Sequence, residues 1–176
     1  MEYFTMNQDP RLLKVIKPVG TDVDKLTGLT HEEICGASEA IILYVKGSEQ
    51  KEYVDYIEFP IKLISKKLKT IMSKYQKDAV FITVVFIEKE TSRQETYYLI
   101  SAPKISCASE ETVYDKNGNV LKFVLDQGKV GPARIFCASE NENQLIVRLD
   151  VAESILRREP DGIWLERVRT VTKERK

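Results

Sequence analysis

Near residue 78 the hydrophobic period of this chain switches from that of a helix to that of a strand. Upstream, Ile61, Ile64, Leu68, Ile71, Met72 and Tyr75 follow one another at 3, 4, 3, 1 and 3 residues, which sets them on one helical stripe. Pro60 or Ile61 opens the helix, since proline at a first helical position lacks only a donor that would be unpaired anyway. The spacing predicts a helix from Ile61 to about Gln76, with Lys62, Lys66, Lys69 and Lys77 largely off the stripe. Beyond Asp78, Ala79 to Glu88 is dense in Val, Ile and Phe and reads as a central strand. Thr96 to Ser101 returns beside it after a turn at Thr91-Ser92-Arg93, so Tyr97 and Tyr98 face opposite ways.

The remaining segments are shorter. Leu12 to Lys17 is the first strand expected, and Ala40 to Lys46, ending at Gly47-Ser48, is the second. Residues 19–38, with Gly20, Gly28 and Gly36, read as a long polar loop with one helical turn at Thr30 to Ile34, where Thr30 caps and Glu33 follows three residues on. Tyr53 to Phe59 is an edge strand or an extended approach to the helix. Asn117-Gly118 between Thr112 to Lys116 and Asn119 to Leu125 marks a hairpin, because this dipeptide tolerates the positive φ angles of a type I′ turn. Ala133 to Ala138 and Gln144 to Leu149 are two more strands around Glu140-Asn141-Glu142-Asn143. Asp150 is expected to cap a short helix from Val151 to Arg158, and Ile163 to Val168 is the last strand, with Lys173 to Lys176 fraying. Strands in neighbouring groups, without strict βαβ alternation, predict an α+β fold. Its sheet is largely antiparallel or mixed, packed by one long helix and one or two short helices.

At 176 residues the chain makes one domain or at most two small ones, and it is read as a single domain over 1–176. Lys plus Arg and Asp plus Glu are both 27, a balance that disfavours a DNA coat or an anionic membrane as partner. The strands do not set aromatics beside basic residues on one exposed face, as a single-strand nucleic-acid platform requires. Neither a basic n-region nor an apolar h-region opens the sequence, and runs such as Val84-Val85-Phe86-Ile87 fall far short of a membrane span, so the protein is expected to stay in the cytoplasm. Cys35, Cys107 and Cys137 are odd in number and far apart, which reads as reduced thiols filling apolar space.

His31, the only histidine, sits four residues before Cys35, and a Cys–His pair is the minimum for thiol catalysis. No glycine-rich context or orienting amide accompanies it, so His31 reads as solvated. Zinc from His31, Cys35, Cys107 and Cys137 lacks the close ligand pair that a structural site uses. Asp22, Asp24 and Glu33 mimic a calcium loop, but Leu26 and Thr27 occupy positions that need a ligand and a glycine. The similar run Asp115, Asn117, Asn119 is better explained by the hairpin. Two S-x-x-K matches, Ser48–Lys51 and Ser101–Lys104, lack the helical start that brings such a pair together. The neighbouring pairs Glu32–Glu33 and Glu110–Glu111 are poorly spaced for acid–base work. No catalytic residue, metal ligand or cofactor is therefore assigned, and His31 and the three cysteines are expected to be dispensable for function.

From the helix onward the order of segments is nonetheless distinctive: Ala79-Val80-Phe81-Ile82-Thr83-Val84, Thr96-Tyr97-Tyr98-Leu99-Ile100, Ile105-Ser106-Cys107-Ala108, Phe123 to Val130 with its Leu125-Asp126-Gln127-Gly128-Lys129-Val130 stretch, Arg134-Ile135-Phe136, Leu145-Ile146-Val147 and Gly162-Ile163-Trp164-Leu165-Glu166. Over about 60–168 this resembles a bacterial immunity-protein family of polymorphic toxin systems. Its members share a Tyr-Tyr-aliphatic strand, a Leu-Asp-x-x-Lys-aliphatic segment, an Ile-Phe strand and a closing Gly-aliphatic strand. Here Ser101 stands where the family often has Asn, and Asp150 where it has Ser. The resemblance implies a non-enzymatic protein that neutralises a cognate toxin domain by forming a stoichiometric complex with it. It brings no catalytic residues. The alternatives are a small enzyme with a carboxylate and tyrosine site, and a general protein-interaction domain. Partner contacts are expected in the 19–38 segment, at the hairpin tip through Lys116 and Asn117, and on the helix through Lys66 and Lys69.

Overall fold

A computed structural model describes residues 1–19, 21–27, 29, 31–36, 40–46, 51–141 and 144–172, without the side chains of Thr21, Asp22, His31 and Cys35. In chain order the elements are β1 (Tyr3–Gln8), α1 (Thr21–Thr27), α2 (His31–Gly36), β2 (Ile41–Val45), β3 (Tyr56–Ile57), β4 (Leu63–Ser65), α3 (Lys66–Met72), β5 (Val80–Glu88) and β6 (Gln94–Ser101). Then come β7 (Lys104–Ile105), β8 (Val113–Tyr114), β9 (Val120–Lys122), β10 (Leu125–Asp126), α4 (Gln127–Val130), β11 (Ile135–Ala138), β12 (Leu145–Arg148), α5 (Leu149–Leu156), β13 (Ile163–Arg167) and β14 (Thr170–Val171). The fold is α+β, with two mixed five-stranded sheets ordered β13-β1-β12-β11-β7 and β2-β5-β6-β4-β3. The first is antiparallel except where β11 meets β7, and the second except where β2 meets β5.

Side-chain alternation divides the interior into three cores. Met6, Ile135, Cys137, Leu145 and Val147 of the first sheet meet Tyr56, Ile64 and Ile100 of the second, together with α3 and α5, in a middle core. The opposite face of the second sheet, with Leu43, Val84, Phe86, Tyr97 and Leu99, is covered by Val15, Ile16, α1 and α2. The far face of the first sheet, with Tyr3, Phe136 and Ile146, is covered by Cys107, Leu125, Val130 and Val168. The loop expected over 19–38 thus contains two short helices, which bury Val23 and Ile34. Thr30, the proposed cap, lies outside the described residues, as do Gly20, Gly28, the Gly47-Ser48 strand end, Glu142-Asn143 and Lys173 to Lys176.

The single long helix is not present. Only Lys66–Met72 is helical, while Leu63–Ser65 is a strand paired with both β3 and β6. Pro60 opens no helix; it follows a cis peptide bond in the turn between β3 and β4. Leu63 and Ile64 are both fully buried because they point into different cores, and a strand buried on two faces has no period of its own to read. Helix α3 starts where Ser65 Oγ accepts the Leu68 N–H at 3.3 Å. Its apolar face is as expected: Leu68, Ile71 and Met72 are buried in the middle core. Leu68→Ala should therefore cost about 2–5 kcal/mol in urea titration, against less than about 0.5 kcal/mol for exposed Lys66→Ala.

Other expectations shift for similar reasons. The first strand is Tyr3–Gln8, inserted between β12 and β13; polar Thr5, Asn7 and Gln8 hide its pattern. Leu12 to Lys17 makes one isolated bridge, Val15 to Glu52, with a second at Pro18. Tyr53 to Phe59 narrows to the edge strand β3. Asp150 does not cap α5; it lies in the first turn and takes a two-point contact from Arg148, at 2.8 and 2.6 Å. That hydrogen-bonded pairing holds its carboxyl below the usual carboxylate range. The Leu-Asp-x-x-Lys segment places Leu125 beside β14, and Asp126 caps α4 through the Gly128 N–H at 2.9 Å.

Candidate interaction surface

Strand β2 alternates, sending Leu43 and Val45 inward and leaving Ile42 and Tyr44 outward. The register sets Ile42 opposite Val85, Tyr44 opposite Ile87, Val85 opposite Thr96 and Thr83 opposite Tyr98, so these residues share one face of the second sheet. At its β4 end that face is roofed by α3 and the middle core. At the β2 end it is open: Ile42 is 52% and Tyr44 44% exposed, with Val85 and Ile87 half-buried. The middle core, built with α3, α5 and the first sheet, packs on Ile64, Tyr98, Ile100 and Phe81 of this face and does not extend to Ile42, Tyr44, Val85 or Ile87.

Lysines bound this open end. Lys69 Nζ lies 4.7 Å from the Tyr98 ring centroid, and Lys89 Nζ lies 4.3 Å from that of Tyr44. Lys66 is exposed one turn before Lys69. Lys67 turns elsewhere, onto Asp55 at 2.8 Å. Among the described residues, Lys66, Lys69 and Lys89 enter no salt bridge.

Lys116 and Asn117 do lie at a hairpin tip, exposed between β8 and β9. The Asp115 carboxylate accepts the backbone N–H groups of Asn117 and Asn119 at 2.8 and 2.7 Å and the Asn119 side-chain amide at 2.9 Å. That amide, first among these donors, lowers the Asp115 pKa. Only Gly118 takes a positive φ, 86°, so the turn is not type I′; the Gly118 N–H closes onto Asp115 O at 3.1 Å. The hairpin hangs from Thr112 and Val124 on the far side of the first sheet, where Phe123 packs on the third core. The four lysine and asparagine positions singled out in the sequence therefore form two separate places. Nothing in the sequence marks Ile42, Tyr44 or Lys89, since nothing local distinguishes a covered sheet face from an open one.

The remaining polar groups mostly hold elements together. A cleft of about 520 Å³ lies between Lys74 to Asp78 and Pro132 to Arg134. In it Gln76 Oε1 accepts the N–H groups of Arg134 and Ile135 at 2.9 and 3.3 Å, and Tyr75 Oη bonds Ser154 Oγ at 2.5 Å. A tyrosine–carboxylate pair exists at Tyr53 and buried Glu88, 3.4 Å apart. Glu88 also accepts a short hydrogen bond from Thr91, and its backbone pairs with Ser92 and Arg93, so the pair locks the β5–β6 turn. Burial and then Glu140 push the Cys107 thiol up to about 12, and burial raises Cys137, so both are protonated at neutral pH. Among the described residues, no three His, Cys, Asp or Glu side chains gather as metal ligands, and no helix is long and apolar enough to cross a membrane. The His31 and Cys35 side chains lie outside the described residues, as do Ser48 and the Asp22 carboxylate. No protein-family model matches the sequence, and no curated protein matches it.

Proposed function

We propose that this chain is a non-enzymatic binding protein of the immunity type, neutralising a cognate toxin domain in the bacterial cytoplasm by forming a stoichiometric complex. The observation that carries this reading is the open apolar end of the second sheet. Solvent-facing Ile42 and Tyr44, continuous with Val85 and Ile87, make a patch of the kind that marks association sites. The family resemblance supports it in a particular way. The Tyr-Tyr, Leu-Asp, Ile-Phe and Gly-Ile segments supply scaffold elements, and the two most exposed patch residues lie outside 60–168. Such an arrangement keeps a frame while the binding surface changes with the toxin.

The test is co-expression with the toxin domain that this reading expects to be encoded beside this chain. Growth should be restored and a one-to-one complex should survive gel filtration. Growth that stays arrested, with no complex, would end the reading. Turnover of a small molecule by the pure chain would favour the enzyme alternative instead.

A further inference from the structure

We propose that the open end of the second sheet docks a protein surface whose apolar centre is rimmed by carboxylates; this rests on the protein-binding reading above. The centre of the patch is Ile42, Tyr44, Val85 and Ile87, which offers shape and apolar area and no hydrogen-bonding side chain except the Tyr44 hydroxyl. Its two ends are cationic, with Lys69 over Tyr98 and Lys89 over Tyr44. Neither ammonium is paired with a described carboxylate, so a partner carboxylate gains a charge-assisted contact without breaking an existing ion pair. Each lysine is already held near a ring, which lowers the conformational entropy lost on binding. With the whole chain neutral, this basic rim is a local excess that selects a complementary surface.

Two other occupants fit less well. A second copy of the chain joined through this face by a two-fold axis would bring the same lysine-rimmed patch against itself. Contrary to the sequence reading, this face does set Tyr44 and Tyr98 beside lysines, but branched Ile42, Val85 and Ile87 fill the space where a nucleic acid needs successive stacking rings.

The experiment uses the full chain and the toxin domain expected beside it under that reading, carrying an inactivating substitution. Ile42→Glu should weaken the complex by at least about thirtyfold. The double variant Lys69→Glu, Lys89→Glu should slow association by about tenfold at low salt and flatten its salt dependence. Lys122→Glu, exposed on β9 and away from this face, should change neither. Zero-length carbodiimide crosslinking should join Lys69 or Lys89 to Asp or Glu of the toxin domain. Thermal melting identifies any variant that fails to fold, and the wild-type crosslinks need no variant. Full affinity in folded Ile42→Glu and the double variant, or crosslinks confined to Lys116, would overturn this surface and leave the binding reading intact. A wild-type chain that binds nothing would remove both. A wild-type dimer that Ile42→Glu converts to monomer would assign the face to self-association and overturn the proposal.

Discussion

Gly162→Ala is expected to destabilise the protein by about 2–5 kcal/mol, read as a lower urea midpoint. Gly162 has φ 74°, a conformation that an L side chain resists. A Cβ placed there would lie 2.6 Å from Val54 Cβ and 2.8 Å from its Cγ1. Val54 cannot swing away, because it is buried and its carbonyl accepts the Tyr97 hydroxyl at 2.9 Å. The glycine also enters β13 with its own carbonyl bonded by the Asp9 N–H, so both chain directions are fixed. Gly118→Ala is the internal control. Gly118 has φ 86° with open space around it, so only the conformational cost of about 1 kcal/mol should appear. Equal losses for the two variants would show that the approach to Val54 does not matter.

One residue pair away, Asp55→Ala should cost about 2–4 kcal/mol. Its carboxylate accepts Ser65 Oγ at 2.5 Å, Lys67 Nζ at 2.8 Å and the Asp161 N–H at 2.8 Å. These bonds tie the second sheet, the cap of α3 and the entry to β13 to one point. Burial pushes the Asp55 carboxyl upward, but the donors, Lys67 first, outweigh burial and hold it below the usual carboxylate range. A folded pKa below the unfolded one means stabilisation present at neutral pH and lost as pH falls. The wild-type advantage over Asp55→Ala should be constant above about pH 5 and shrink as pH drops through the ordinary Asp value of about 4 and below. An advantage independent of pH between 6 and 2 would assign the loss to packing alone.

The seam at Asp55 and Gly162 could not be anticipated, because its members are about a hundred positions apart and individually ordinary. The candidate surface was legible in half. Lys69 stood out on a helical face, and the structure sets it at the edge of the open patch. Lys116 and Asn117 stood out through a turn signal, which located the hairpin and misjudged its type, since Asn117 keeps a negative φ and only Gly118 turns left-handed.

What the sequence determined by itself is local. The helical spacing of Leu68, Ile71 and Met72 fixed the buried face of α3, and alternation fixed β5, β6 and the opposite facing of Tyr97 and Tyr98. Tertiary structure decided where those patterns stop and what lies over them. Leu63 and Ile64 belong to a strand because two cores lie on either side of it, and β1 exists because β12 and β13 supply partners for its polar-flanked backbone. The open end of the second sheet is decided in the same way. Ile42 and Tyr44 alternate with Leu43 as any sheet residues do, and they face solvent because the middle core does not extend over them, which is a property of neither strand alone.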